Sequence, residues 1–437
     1  MAEARAVPGA AGSHRRAVGW LVAGLAAHAL FLGSLRWGWL NRLFNDSSHT
    51  PQAFDFQIYY LAGKAVLAGR DVYGLEAGFG FRYLPAFAHV VARALALSSP
   101  ALAYLAYLLL TELVLAADLW LLWRWLAPWS QRRAAALFMW LAATPLYLEM
   151  YMGQVSLWAT SLLLVFLWTV DAGRQRMGVA AWTGAILIKP NALLLAPALV
   201  RRGRWPGLAA TAGVVAATSL PHFLTYPGSW TAFCRANLGM SQVPGALTHA
   251  GNLGLAGTLI SVVAKASGLP LAQLGTLADL PLWGQALVGG AGAAVLAVTA
   301  WATWRDRDAD PLLLYTLWLT AYFLLYKDAW EHHYVFLLPV LSLLYGRTGA
   351  PWLWVAFAAV ALPTPFALLD VQPGQHGAID PERTWSLATS LFYRVPKLAA
   401  VAGLWAWQIS RLCQPRPGVN AAVGHARAAR QPGTALI

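Results

Sequence analysis

Apolar runs close to the roughly 17–25 residues that a helix needs to cross a bilayer core recur along the whole chain. They fall at 17–35, 83–97, 101–125, 134–149, 155–171, 177–200, 206–222, 283–304, 311–326, 332–346, 351–369 and 386–409. The segment 253–267 is either a further span or a helix lying on the surface. Four stretches are too polar or too broken for lipid: 36–82, 223–252, 268–282 and 370–385. The expected fold is all-α, a polytopic membrane protein of about twelve transmembrane helices. Composition agrees, with 59% hydrophobic and 11% charged residues, where soluble domains carry about 25% charged.

The net charge of +13 gathers in the N-terminal stretch, short loops and C-terminal tail. In a membrane protein such a bias sets topology and meets anionic headgroups. It does not point to nucleic acid, because no soluble basic domain with stacking aromatics exists to bind it. The first apolar segment follows Arg15 and Arg16 and is too long for a signal-peptide core, so it reads as an uncleaved span. Cys234 and Cys413 suggest neither a disulfide framework nor a metal site. The 23 tryptophans are read as interfacial anchors, with some left to line a cavity.

Arginines in short loops orient the chain. Arg15, Arg16, Arg174, Arg176, Arg201, Arg202, Arg204, Arg305, Arg307 and Arg347, with Arg411, Arg416, Arg427 and Arg430 in the tail, favour the cytoplasmic side. Loops 36–82, 223–282 and 370–385 and the 327–333 turn then lie outside. The front half resists this rule. Two spans between 83 and 125 would return Arg124, Arg132 and Arg133 to the outer face, so either one helix there is re-entrant or the rule fails locally. Inside 177–200, Lys189-Pro190 predicts a break between two half-helices, because proline removes a donor and disfavours helix in the residue before it. A break at that depth must line a cavity or pack in protein.

Residues suited to chemistry interrupt this apolar background. The stretch FDFQIYYLAGKAVLAGRDVY, 54–73, reads as an amphipathic helix at the membrane surface. Asp55 suits a general base held among aromatics at headgroup level, or an acid capping the start of its helix. Lys64, Arg70 and Asp71 read as solvated or salt-bridged. Arg82 sits where the loop re-enters the membrane and either grips a phosphate or snorkels to the interface. Glu149, Gly153 and Gln154 form a polar knot between apolar helices, suited to sugar hydroxyls or simply to a tight turn. Lys189, near mid-span, must face a ligand or a buried carboxylate such as Glu112, Asp118 or Glu149. Lys327, Asp328, Trp330, Glu331, His332 and His333 gather at an outer edge. Adjacent histidines on one helix diverge by about 100° and rarely share an ion, and no HExxH pattern is present. One of them is read as hydrogen-bonding a phosphate or sugar. The chain shows no P-loop, dinucleotide fingerprint or GxSxG elbow, and no cytosolic domain to hold a nucleotide sugar. Any donor must reach the outer loops through the bilayer.

The order Asp55-x-x-x-Tyr59-Tyr60, Ala62-Gly63-Lys64, Asp71-Val72-Tyr73, Arg82-Tyr83-Leu84-Pro85, Gly153-Gln154-Val155, Ile188-Lys189-Pro190 and Trp330-Glu331-His332-His333 resembles glycosyltransferase family 87 over roughly residues 15 to 405. The resemblance implies a GT-C-type architecture with amphipathic helices in the first outer loop. Spans and composition divide the chain into a cytoplasmic stretch 1–16, a multispan catalytic domain 17–409 and a basic cytoplasmic tail 410–437, expected to be disordered. The resemblance further implies an inverting hexosyltransferase of the plasma membrane, with its active site on the extracytoplasmic side. The sugar, mannose first, would pass from a polyprenyl phosphate to a lipid or glycan acceptor, with no cofactor or metal. Asp55 maps onto the catalytic base, and Arg82, Lys189, His332 and His333 onto the donor phosphate site. Tyr59, Tyr60, Gln154, Trp330 and Glu331 are the expected sugar or acceptor contacts. The rival reading is a transporter or flippase of lipid-linked saccharides, which would share the aromatics and the buried lysine but needs no base.

Overall fold

A computed structural model describes residues 10–44, 50–75, 80–126, 130–237, 245, 247–305, 309–363 and 380–414. Residues 1–9 of the N-terminal stretch, 370–379 of the loop before the last helix and 415–437 of the tail, all assigned above, lie outside the described residues. The described residues are helical with no β-strand, apart from an isolated bridge between Asn252 and Trp330.

Among the described residues, five helices are long and apolar enough to cross a membrane: His14–Trp37, Pro100–Trp125, Gln131–Met152, Trp205–Thr225 and Leu282–Arg305. Ser156–Asp171, Pro311–Leu325, Leu255–Ala266 and Trp352–Ala361 are shorter apolar helices. The 27-residue helix Leu387–Cys413 closes the bundle. It buries Arg394 and Lys397 completely, beside an internal Pro396.

Helix ends and charges sort onto two faces. On one, Trp125 Nε1 donates to Asp171 (2.7 Å), Arg347 pairs with Asp171 (2.7 Å) and Asp310 (3.4 Å), and Arg201 donates to the Thr303 carbonyl (3.1 Å). On the other, the Ala53 amide donates to the Tyr151 carbonyl (2.8 Å), Gln52 to Tyr104 (3.2 Å) and Leu253 to Ala329 (2.9 Å). The first is a basic face and the second carries the long loops.

Two of the sequence-derived spans take a different form. The stretch 83–97 does not cross. Proline opens it at Pro85, a π-turn occupies Ala88–Ala92, and helix ends at Leu95, too short for a bilayer. It lies instead against Phe54–Leu67, and Gly63 permits that packing, because a Cβ there would sit 2.1 Å from the Ala92 carbonyl oxygen. The charge conflict in the front half disappears as a result. Among the described residues, only Pro100–Trp125 is long enough to cross between the loop-bearing face and Arg124, so Arg124 and Arg132 fall on the basic face.

The segment 177–200 enters and returns. Helix Gln175–Ile188 has 14 residues, a rise of about 21 Å. At Lys189 the backbone is extended (φ −142°, ψ 109°), and Pro190 then starts a 3-10 turn leading to Ala196–Arg201. Trp182 Nε1 donates across the hairpin to the Ala192 carbonyl (2.8 Å), and Arg204 meets Gln175 at its base. The break expected at Lys189-Pro190 is thus the tip of a hairpin whose two ends share the basic face.

Between the faces lies a packed core. Trp140, Trp182 and Trp318 are its largest buried side chains. Trp140 and Trp318 satisfy their indole N–H groups on Ser342 (3.2 Å) and Thr303 (3.0 Å). These three are not interfacial anchors.

Candidate active site

At the loop-bearing end, a cavity of about 210 Å³ opens between the Phe54–Leu67 helix, the 152–154 turn, the hairpin tip and the 326–333 turn. One wall carries the acid. Ala53, left-handed at φ 63°, is the residue before the first helical turn. That conformation strains a non-glycine residue by about 1–2 kcal/mol, and the Ala53–Tyr151 hydrogen bond helps to hold it. Asp55 follows in the first turn, at the favourable end of the helix dipole. It does not stand alone, because Gln154 Nε2 donates to Asp55 Oδ2 at 2.7 Å.

Gln154 reaches that position through Gly153, which ends helix Thr144–Met152 in the left-handed conformation (φ 74°). From the neighbouring crossing helix, the Tyr107 hydroxyl donates to the Gln154 carbonyl (2.5 Å). Glu149, fully buried, accepts from the Leu157 amide (3.0 Å) and so caps the next helix. The Gln154 Oε1 atom accepts from the Tyr59 and Tyr83 hydroxyls (3.0 and 3.2 Å), which touch each other at 2.5 Å. Lys189 reaches the same oxygen (3.5 Å) and donates to Ser156 Oγ. Its ammonium therefore hydrogen-bonds neutral oxygens at the edge of the cavity, while the Glu149 and Asp55 carboxylates act on it through space.

The facing wall carries the bases. Arg82 pairs with Asp328 at 2.8 Å, and Lys327 contacts the same carboxylate. Burial pulls the Lys327 ammonium below its usual range, and the adjacent Asp328 carboxylate opposes that shift. His333 Nδ1 accepts from the Trp330 amide (3.2 Å) and lies 3.0 Å from the Tyr322 hydroxyl. In the neutral ring the proton therefore sits on Nε2. His249 is fixed in the same way by the Gly251 amide (3.1 Å), with its ring 5.0 Å from that of Trp330.

The structure brings Asp55, Tyr59, Arg82, Gln154, Lys189, Trp330, His332 and His333 to this one cavity. Tyr60 and Glu331 lie outside its lining. Tyr60 donates to the Ser98 carbonyl (2.8 Å), and Glu331, 1% exposed, pairs with Lys397 at 3.1 Å. Among the described residues, no three His, Cys, Asp or Glu side chains gather as a metal site.

Tyr83, His249 and Asp328 also line the cavity, with no role assigned from sequence. His249 arrives through distant partners. Arg394 donates to the carbonyls of Thr248 (2.6 Å), His249 (3.0 Å) and Asn252, and is itself 3.4 Å from Glu382. Asn252 in turn holds the 326–333 turn through the Lys327 carbonyl (2.8 Å) and the Ala329 amide (3.1 Å). The only sequence signal for this support was a pair of cations inside the last apolar run.

A helical membrane protein whose polar cavity has a carboxylate on one wall and cations on the other is the class that fold and site define. The chain belongs to glycosyltransferase family 87, whose model matches residues 81–326, more than half of its length, and it is a membrane glycosyltransferase. Over 366 residues it is 28% identical to the polyprenol-phosphate-mannose-dependent alpha-(1-2)-phosphatidylinositol mannoside mannosyltransferase of Mycobacterium tuberculosis (strain ATCC 25618 / H37Rv), covering 78% of this chain and 79% of that protein.

Proposed function

We propose that the protein transfers mannose from a polyprenyl phosphate to a lipid-linked acceptor, with Asp55 as the general base of a single inverting displacement. The observation that carries this reading is the meeting of Asp55 with Arg82, Lys189, His332 and His333 in one cavity, from segments up to 278 positions apart. A cavity of about 210 Å³ suits a sugar and its phosphate, and leaves the polyprenyl chain in lipid. An acceptor hydroxyl beside Asp55 gives its proton to the carboxylate as its oxygen bonds to the anomeric carbon. The bond from that carbon to the phosphate oxygen breaks on the opposite side, which inverts the centre. Phosphate leaves as a stable anion, and Arg82, Lys189 and the histidine N–H groups oppose its charge. The relative's name supports both polyprenyl-phosphate-mannose as donor and a phosphatidylinositol mannoside as a first acceptor to try.

The basic face supports a cytoplasmic assignment under the positive-inside rule, and so favours a cavity on the extracytoplasmic side of the plasma membrane. Residues 17–409 then form one GT-C-type catalytic unit. Counting the two arms of the Lys189 hairpin separately gives about twelve membrane passages.

The test is transfer of radiolabelled mannose from polyprenyl-phosphate-mannose to phosphatidylinositol mannosides and a wider glycolipid panel. Wild type and Asp55→Asn are compared, each with and without EDTA. Transfer by wild type that the variant loses and EDTA spares supports the mechanism. Undiminished transfer by Asp55→Asn removes the base. Donor translocation by both, without transfer by either, favours a flippase.

A further inference from the structure

The side chain of Gln154 stands at the centre of the cavity's acid wall, 8% exposed, and its surroundings fix which end of the amide faces which way. Lys189 has hydrogens only to give, and lies 3.5 Å from Oε1. The Tyr59 and Tyr83 hydroxyls, at 3.0 and 3.2 Å, have two protons between them. At least one of these goes to Oε1, and the other serves either the same oxygen or the tyrosine–tyrosine contact. Reversing the amide would set its NH₂ against an ammonium and its oxygen against the Asp55 carboxylate. Nε2 is therefore the end that faces Asp55 Oδ2, at 2.7 Å. The main chain that carries this side chain is fixed as well, since the backbone N–H of Gln154 donates to the Glu149 carbonyl (2.8 Å) and its backbone carbonyl accepts from Tyr107 (2.5 Å). At most one N–H remains for a ligand, so the amide is poorly suited to hold a sugar.

We propose that Gln154 is the positioning residue of the Asp55 base, an amide locked by Tyr59, Tyr83 and Lys189 so that it holds the carboxylate in the orientation that receives the acceptor's proton. This rests on the reading of Asp55 as the base. The lock has a second effect. Lys189 and Asp55 lie at opposite ends of one amide, which relays the pull of the ammonium towards the carboxylate while keeping the two from collapsing into a direct ion pair. On this proposal Gln154 has a role acting through another residue, in place of the sugar or acceptor contact expected from sequence.

The experiment compares wild type, Asp55→Asn, Gln154→Met and Gln154→Glu in transfer from polyprenyl-phosphate-mannose to the acceptor that wild type uses, across pH. Gln154→Met keeps the length of the side chain and removes the donor. It should lower kcat about 10- to 100-fold, as for a lost hydrogen bond to a charged group, with the donor KM unchanged. The acidic limb of the kcat/KM profile should move up by about one pH unit, because a carboxylate that loses a donor becomes more basic. Gln154→Glu, near isosteric, should move that limb further in the same direction, since a second carboxylate beside Asp55 disfavours its charge. It also supplies the test if the methionine variant does not fold. A purely structural role would reduce yield or thermal stability without moving the limb. An unmoved limb with a raised donor KM, in a background where Asp55→Asn is inactive, overturns the positioning role and leaves the base standing. Activity in Asp55→Asn overturns both.

Discussion

Gly153→Ala should separate Asp55 from Gln154 without altering any group that lines the cavity. A Cβ at Gly153 would lie 2.4 Å from the Phe56 Cβ, whereas carbon atoms settle about 3.5–4.0 Å apart. The Phe54–Leu67 helix must therefore withdraw by about 1 Å. The 2.7 Å contact between Asp55 and Gln154 would stretch to about 3.7 Å, past hydrogen-bond range. Alanine at φ 74° adds about 1–2 kcal/mol of left-handed strain. A misplacement of about 1 Å costs on the order of 100-fold in rate, so kcat should fall about 100-fold while the donor still binds. Steady-state mannosyl transfer on purified protein, together with thermal unfolding in the same detergent, measures both effects. A folded variant with kcat within about twofold of wild type would show that this contact does not govern the chemistry.

Gly63→Ala forces its new Cβ against the Ala92 carbonyl and should cost about 1–3 kcal/mol, read as a lower Tm. Lys397→Met leaves the buried Glu331 carboxylate without the ammonium at 3.1 Å. It should destabilise by about 3–5 kcal/mol, much of it regained in the Lys397→Met/Glu331→Met double variant; equal Tm values for the single and double variants would refute this. Arg394→Lys cannot reproduce a planar fork on several carbonyls and should lower kcat/KM about tenfold by loosening the turn that carries His249, as seen in transfer kinetics. Arg347→Ala, at the partly exposed basic face, should change stability by less than about 1 kcal/mol in the same unfolding assay.

The membrane character and the main chemistry-bearing segments could be read from sequence because each is a local signal. A run of apolar residues, an acid between two phenylalanines and a lysine before proline all announce themselves within a few positions. What sequence could not show was where segments return. Residues 83–97 are apolar enough to suggest a span, and their short, broken helix and its fit against Gly63 explain why they pack along Phe54–Leu67 instead. Lys189 announced a break, but the contact of Arg204 with Gln175 was needed to make that break the tip of a hairpin. Gln154 and Glu331 were noticed as polar residues in greasy surroundings, which says that each has a partner and not which one. His249 carried no signal, and Tyr83 only its place in the Arg82-Tyr83-Leu84-Pro85 motif, because an aromatic or a histidine in a loop is ordinary until distant residues place it.

The tryptophan-centred core beneath the cavity bears on a different property, electrical insulation. A polar pocket on one side of a membrane that holds an ion gradient is a hazard if water or protons can thread through to the other side. Below the Lys189 tip stand Trp182 and Trp318, each with its indole N–H already bound, to the Ala192 carbonyl and to Thr303. Neither indole has a spare donor to pass a proton along. The same packing that carries a cation to the cavity thus narrows the route by which water or protons could leak beneath it.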